Sequence, residues 1–261
     1  MRSQNGKLEV VFAYKDGKTV LRHAYHRTPL QIVRPFEFEP SILTLTIINP
    51  TAGIMGGDHF EISIVLEPQA KVILLTQSAG KIHKMHPGEV ATQDLKFEIA
   101  QQARLEYYPQ RLIPFAASNY QQNNQIQLES EAEFLMLETW ASGRIAKQER
   151  LAFLRYANQT KLHIAGQLEY LERFVLEPLH TDYGAFGLLE ANTHSLTGIC
   201  IGKQKMPFVL PKGVQHGKTQ SGHTWVRAFS QDDVLLDKNL QTTRNTLRQA
   251  YFGLPELQLR G

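Results

Sequence analysis

Four places in this sequence hold side chains whose type and spacing could do chemistry. His83-Lys84-Met85-His86 sets two imidazoles three residues apart with a soft thioether between them. Imidazole suits nickel, copper and zinc. Two ligands close no site, however, and Pro87-Gly88 beside them points to an exposed loop whose histidines face water. The segment Asn49-Pro50-Thr51-Ala52-Gly53-Ile54-Met55-Gly56-Gly57-Asp58 joins two apolar runs. Gly53, Gly56 and Gly57 permit positive φ and close backbone approach. No Gly-Lys-Ser/Thr follows, so this is not a phosphate-cradling loop. Its plain reading is a tight turn that delivers Asp58 to the next strand. Glu138 follows the apolar run Phe134-Leu135-Met136-Leu137 and precedes Thr139-Trp140. A carboxylate there is half buried and needs a partner, because burying it alone is costly. Arg144, after Ser142-Gly143, is the partner candidate, which makes either a structural ion pair or a buried polar lining. Cys200 lies in an apolar strand, where a thiol is inert packing.

Several signatures are absent. There is no Gly-x-Ser-x-Gly, no HExxH, no GxGxxG and no EF-hand loop. No acid/base pair with clear spacing stands out, which counts against an enzyme. One cysteine in 261 residues excludes a disulfide framework and a Cys₄ or CxxC metal site. Lys and Arg total 28 against 25 Asp and Glu, a net charge of +3, too balanced for a dedicated nucleic-acid binder. No apolar run is long enough to cross a membrane as a helix. The polar start, Met1-Arg2-Ser3-Gln4-Asn5-Gly6, lacks the apolar stretch of a signal peptide. The expected setting is the cytoplasm.

The elements that must position these groups are strands. Leu8, Val10, Phe12 and Tyr14 alternate with polar or small neighbours and turn at Asp16-Gly17, a strong hairpin signal. Phe60, Ile62, Ile64 and Leu66 form a second alternating run, and Leu95, Phe97 and Ile99 a third. Further strands are expected at 41–48, 71–76, 104–108, 125–129, 134–139, 151–155, 195–201 and 224–229. The runs 42–48 and 72–75 are apolar on both faces, as central strands are. No fixed internal period is visible. Helix is expected near the C-terminus, starting at Ser230-Gln231-Asp232-Asp233 and ending at Gly253 with Pro255. A weaker helix is expected around 183–191, and 202–222 reads as a mobile loop. The 42% of apolar residues supplies a sizeable core. No linker divides the chain, so one domain over 1–261 is expected. The fold class is mainly β: a sandwich or barrel of many short strands with about two helices.

Taken in order, several segments resemble the UreD (UreH) family of urease accessory proteins. Asn49-Pro50 through Gly57-Asp58 looks like that family's Asn-Pro-Pro-Gly-Gly…Gly-Gly-Asp motif, with Thr51-Ala52 in place of Pro-Gly. Thr76-Gln77-Ser78-Ala79-Gly80-Lys81 looks like its Thr-Gln…Lys segment. Leu105-Glu106-Tyr107-Tyr108-Pro109-Gln110 with Ile113-Pro114-Phe115 is similar to its Pro-Gln…Ile-Pro-Phe stretch. Glu138, Gly143-Arg144 and Glu149 look like its Glu…Gly-Arg…Glu stretch. The C-terminal third matches mainly in pattern.

The resemblance implies an irregular β-helix with a few helices and a non-catalytic maturation factor. It implies partners: a helical protein called UreF, the GTPase UreG that hydrolyses GTP, and apo-urease, whose nickel centre the assembly installs. No tightly bound cofactor is implied, only Ni2+ in transit. A conduit needs scattered carboxylates, carbonyls and water, because a closed thiolate or imidazole cage would trap the ion. Asp58 and Glu138 are the candidates for its lining. His83 and His86 are candidates for passing metal contact. The C-terminal helix carries Leu236, Leu240, Leu247 and Tyr251 with Arg244 and Arg248 beside them. That stripe either docks a partner or packs on the β core. Two other classes remain open on residues alone. One is a metal-dependent hydrolase using His83, His86 and Asp58. The other is a carbohydrate-binding module using Tyr107, Tyr108 and Trp140.

Overall fold

Among the described residues the period of two becomes eighteen strands, divided between two facing sheets. The computed structural model describes residues 3–258; Met1 and Arg2 of the polar start lie outside the described residues. In chain order the first strands are β1 (Asn5–Lys15), β2 (Lys18–Arg27), β3 (Gln31–Ile32), β4 (Phe36–Glu39), β5 (Ile42–Ile48) and β6 (His59–Leu66). Next come β7 (Lys71–Thr76), β8 (Gly80–Ile82), β9 (Ala91–Ile99), β10 (Arg104–Tyr108), β11 (Leu112–Pro114) and β12 (Asn119–Leu128). The last are β13 (Glu133–Ala141), β14 (Arg155–Ile164), β15 (Gln167–Leu176), β16 (His194–Ile201), β17 (Val214–Lys218) and β18 (Thr224–Ser230). Helix α1 (Asp233–Leu247) follows and tightens into a π turn, Arg248–Phe252.

One sheet has the order β15-β14-β12-β9-β6-β1-β2, and the other runs β17-β18-β16-β13-β10-β7-β5-β3. β6, β9, β12 and β14 pair in parallel in the first. β5, β7, β10 and β13 pair in parallel in the second. The chain therefore winds from one sheet to the other and back, stacking coils as an irregular β-helix does. Side chains on neighbouring coils meet at separations of 33, 29 and 36 residues, so no constant period could be read from the sequence. Both ends of the parallel stack reverse in tight hairpins. Asp16 and Gly17 (φ 51° and 82°) join β1 to β2, and Ala165 and Gly166 (φ 49° and 82°) join β14 to β15. Positive φ at both central residues is the twist-matched turn.

Two apolar layers result. Residues such as Leu45, Ile64, Leu74, Phe97, Leu105 and Phe134 fill the space between the sheets. A second cluster lies on the outer face of the second sheet. There Ile73, Leu135, Leu137 and Cys200 meet Leu236, Leu247, Tyr251 and Phe252 of the C-terminal helix. The stripe thus packs on this chain's own sheet: Leu236, Leu247, Tyr251 and Arg248 are fully buried and Arg244 nearly so, with Leu240 packed against them. The face of α1 left to solvent shows Val234 and Leu235 instead.

The helix starts as its residues dictate. Asp232 caps it, its Oδ1 accepting from Leu235 N at 3.0 Å, and Gly253 (φ 69°) ends it. Asp232→Ala should lower stability by about 1 kcal/mol in urea unfolding. An unchanged midpoint would mean that packing alone holds the first turn.

Three local expectations need correction. Residues 183–191 form turns, not a helix. Gly187 adopts φ 81°, and Phe186 is almost fully exposed; Leu189 and Tyr183 reach the core from turns. The stretch 202–222 is not loop throughout, because β17 pairs antiparallel with β18 inside it. Residues 151–154 are turn; the strand begins at Arg155.

Candidate functional site

The quoted motifs meet at one cavity. It has a volume of about 150 Å3 and opens at one edge of the space between the sheets. That is room for several waters, since each needs roughly 10–15 Å3 on this measure.

The mouth is built from three loops. In the first, Asn49 Oδ1 accepts from Thr51 N at 3.1 Å and from Thr51 Oγ1 at 2.7 Å, a side-chain-closed turn. Ile54 N donates to Lys81 O at 2.8 Å and His83 N to Ile54 O at 2.8 Å, which fastens this loop to the second. Gly53 is needed at that seam. Its φ is 145°, and a Cβ there would lie 2.3 Å from the Lys81 carbonyl oxygen. The second loop, Thr76 through Lys81, lines the opening. The third, Pro109-Gln110, is tied to it by Gln110 N donating to Thr76 Oγ1 at 2.8 Å.

Asp58 and its neighbours hold the first loop from outside the cavity. Asp58 Oδ1 accepts from Gln4 N and Oδ2 from Met55 N, both at 2.8 Å. Its carboxylate is buried against backbone and does not face the cavity. Gly57 (φ 79°) makes the turn before it. Gly56 lies against the Glu89 side chain, and Pro50 faces a shallow depression beside Arg27 and Pro29.

The floor is polar although it lies in the core. Tyr107, Gln93, Gln122, Glu138, Tyr156 and Asn158 all reach it. Glu138 comes from β13 and is 9% exposed. Its Oε1 accepts from Gln122 Nε2 at 2.8 Å. Its Oε2 accepts from Asn158 Nδ2 at 3.3 Å and Asn124 Nδ2 at 3.4 Å. Asn124 Nδ2 also faces Thr160 Oγ1 at 3.0 Å, and Tyr120 OH donates to Gln122 Oε1 at 3.1 Å. Burial pushes the Glu138 carboxyl up to about 7; the amide donors pull the other way, and the charge of Glu172 adds to the rise. Burial likewise holds the Tyr107, Tyr120 and Tyr156 hydroxyls protonated.

Arg144 is not the partner of Glu138. The strand ends at Ala141, and Arg144 turns away to grip Glu149. Its Nε donates to Oε2 at 2.7 Å, its Nη2 meets Oε1, and its guanidinium lies 4.2 Å over the Phe115 ring. The Arg144 hydrogen bond holds the Glu149 carboxyl below the usual range. Gly143 makes this corner possible: at φ 139°, a Cβ would fall 1.7 Å from the Glu149 carbonyl oxygen.

The histidines do not converge. His83 Nε2 pairs with Ala52 O at 2.9 Å and its ring meets Phe115 edge-on. His86 is exposed, with its backbone N–H on Glu89 Oε2. Met85 between them is buried. Among the described residues, no three His, Cys, Asp or Glu side chains gather as a metal cluster. His83, His86 and Asp58 are each engaged elsewhere, so the hydrolase constellation is not assembled. Tyr107, Tyr108 and Trp140 are buried, which removes the exposed aromatic platform that a sugar-binding module needs.

The family model described as UreD urease accessory protein matches residues 4–261 of the chain. The chain belongs to the UreD family. A Urease accessory protein UreD from Deinococcus radiodurans is 35% identical over 99% of this chain and 95% of its own length. One from Acetivibrio thermocellus is 32% identical over 95% of this chain and its whole length. A third, from a Synechococcus strain, is 37% identical over 74% of this chain and 72% of its own. The family places the chain among urease accessory proteins. Of the UreD-like segments, Asn49–Asp58, Thr76–Lys81 and Pro109-Gln110 build the mouth, and Glu138 lies on the floor. Gly143, Arg144 and Glu149 form the corner after β13. No described helix of this UreD protein is long and apolar enough to cross a membrane.

The interior amides escaped the sequence reading. β12, NYQQNNQIQL, has inward positions Tyr120, Gln122, Asn124, Ile126 and Leu128. Two of five are polar yet buried. The broken alternation in an otherwise regular strand was the available signal.

Proposed function

We propose that this protein is a non-catalytic urease maturation factor whose interior chamber passes Ni2+ toward apo-urease. In this reading it works in the cytoplasm with a UreF-like helical protein and a UreG-like GTPase, which supplies the hydrolysis. Family membership supports the accessory role. The observation that carries the conduit is Glu138, a lone carboxyl under three amides at the floor of a chamber whose mouth is made by family motifs. Nickel favours nitrogen and sulfur ligands, so an oxygen and amide lining holds it loosely and lets it go on. The partly protonated carboxyl sharpens that: metal must displace a proton to bind. Asp58 then serves as the anchor of the mouth. His86, which is exposed, remains the candidate for passing contact before the ion enters.

The test is Glu138→Gln, which keeps the shape and removes the charge. Urease matured with this variant should carry clearly less nickel while the variant still co-purifies with its accessory partners. Normal nickel content at normal assembly would overturn the conduit reading.

A further inference from the structure

The polar floor does not stop at Glu138. In the second sheet Glu138 pairs with Thr197 of β16, and Thr197 pairs with Arg227 of β18. Directly opposed residues of antiparallel strands share a face, so the three form a row on the inner side. In the first sheet Asn124 pairs with Thr160 of β14, and Thr160 with Glu172 of β15. A second polar row thus faces the first across the core. The rows meet beside β15, the edge strand of the first sheet, and β18, which in the second sheet has only β17 beyond it, with Gln215 paired to Arg227; there Arg227 Nη2 contacts Glu172 Oε1. Among the described residues no backbone ladder joins the two sheets here. Side chains do: the Arg227–Glu172 pair, and Glu169 accepting from Thr219 Oγ1 and Ser221 Oγ at 2.6 Å each.

We propose that Arg227 is a latch on a second opening of the chamber, through which a divalent cation leaves past Glu172. This rests on the conduit reading above. Glu172 is mostly covered, whereas Arg227 is 46% exposed, with solvent on its outer side. An ion pair so placed is among the weakest ties in a protein. An acidic group on the receiving protein can draw Arg227 off and free the Glu172 carboxylate for the ion. The deep end of the chamber already feels this edge, because the Glu172 charge contributes to the Glu138 shift. Arg227 excludes cations while it holds Glu172, so the ion would leave only when the acceptor is present.

The experiment needs neither nickel nor urease, so it can fail while the conduit reading stands. Thr197→Cys places a thiol in the row, and Ala79→Trp narrows the known mouth. The full-length chain is treated with a small cationic methanethiosulfonate, and each thiol is followed by peptide mass spectrometry. Cys200 is the internal control for global opening, because it is buried on the other face of the sheet, under the helix. Arg227→Ala and Arg227→Gln should each speed labelling at position 197 several-fold with Cys200 unchanged. Arg227→Lys should stay near the parent rate. No acceleration in either latch variant overturns the proposal, as does equal acceleration at Cys200.

Discussion

Arg248→Ala should destabilise the protein by about 3–5 kcal/mol, the usual effect of stranding a buried charge. The Arg248 side chain is fully buried. Its Nε donates to Glu106 Oε2 at 2.6 Å, its Nη2 to both oxygens of Glu39 at 2.7 and 2.8 Å, and its Nη1 to Pro255 O at 2.7 Å. Glu106 is itself fully buried. Without Arg248 it keeps only Tyr108 OH at 2.7 Å and the more distant Arg104, whose Nε lies 3.6 Å from Oε1. Natural domains hold roughly 5–15 kcal/mol in total, so the loss approaches the whole margin. Urea unfolding measures it. The control is the triple variant Glu39→Gln/Glu106→Gln/Arg248→Met, which removes the arginine and both carboxylates it holds and should recover most of the loss. A triple variant as unstable as the single one would show that the geometry of the cluster, not the stranded carboxylates, matters.

Glu138→Gln should do the opposite in the isolated protein above neutral pH. Glu138 keeps its proton in the folded state up to about pH 7, whereas the unfolded chain releases it near 4.5. The folded state therefore binds more protons between those values, and stability falls as pH rises through them. At about 1.4 kcal/mol per pKa unit the loss reaches about 3 kcal/mol by pH 8. The glutamine variant lacks this slope. It should melt higher than the parent at pH 8 and match it near pH 4. Parallel melting curves across that range would mean that the carboxyl ionises freely. A carboxyl that lowers stability at working pH is a cost to the fold, which the proposed conduit role of Glu138 would account for.

Much of this was legible because one rule dominates. Alternation with a period of two marked β1, β6 and β9, Asp16-Gly17 marked the first hairpin, and Ser230-Gln231-Asp232-Asp233 and Gly253 bracketed the helix. Its cap is Asp232, two residues after the serine that the capping pattern pointed to. The stacking was not legible, because coil length varies and self-similarity vanishes with it. β14 and β15 were missed for a related reason: their inward faces carry Asn158, Thr160 and Glu172, so apolar residues do not alternate cleanly. The site was half legible. Glu138 declared itself as a carboxylate in an apolar strand. Its partners did not, because they sit 14 to 20 residues away on other strands and only the coil brings them together. Asp58 and Arg144 were visible for their motifs, but motif membership does not reveal which way a side chain turns.

The two terminal hairpins have a consequence for how these molecules meet one another. A stack of parallel coils is open at both ends and invites another copy to continue it, as fibrils do. Here β2 and β15 run against the coils they cover. An incoming copy would meet the outer strand of a hairpin at each end, not the edge of a coil. At one of them it would also face Lys18, Arg22 and Arg27 along the free edge. The number of coils is thereby fixed within each chain, and crowding in concentrated solution should not lengthen it.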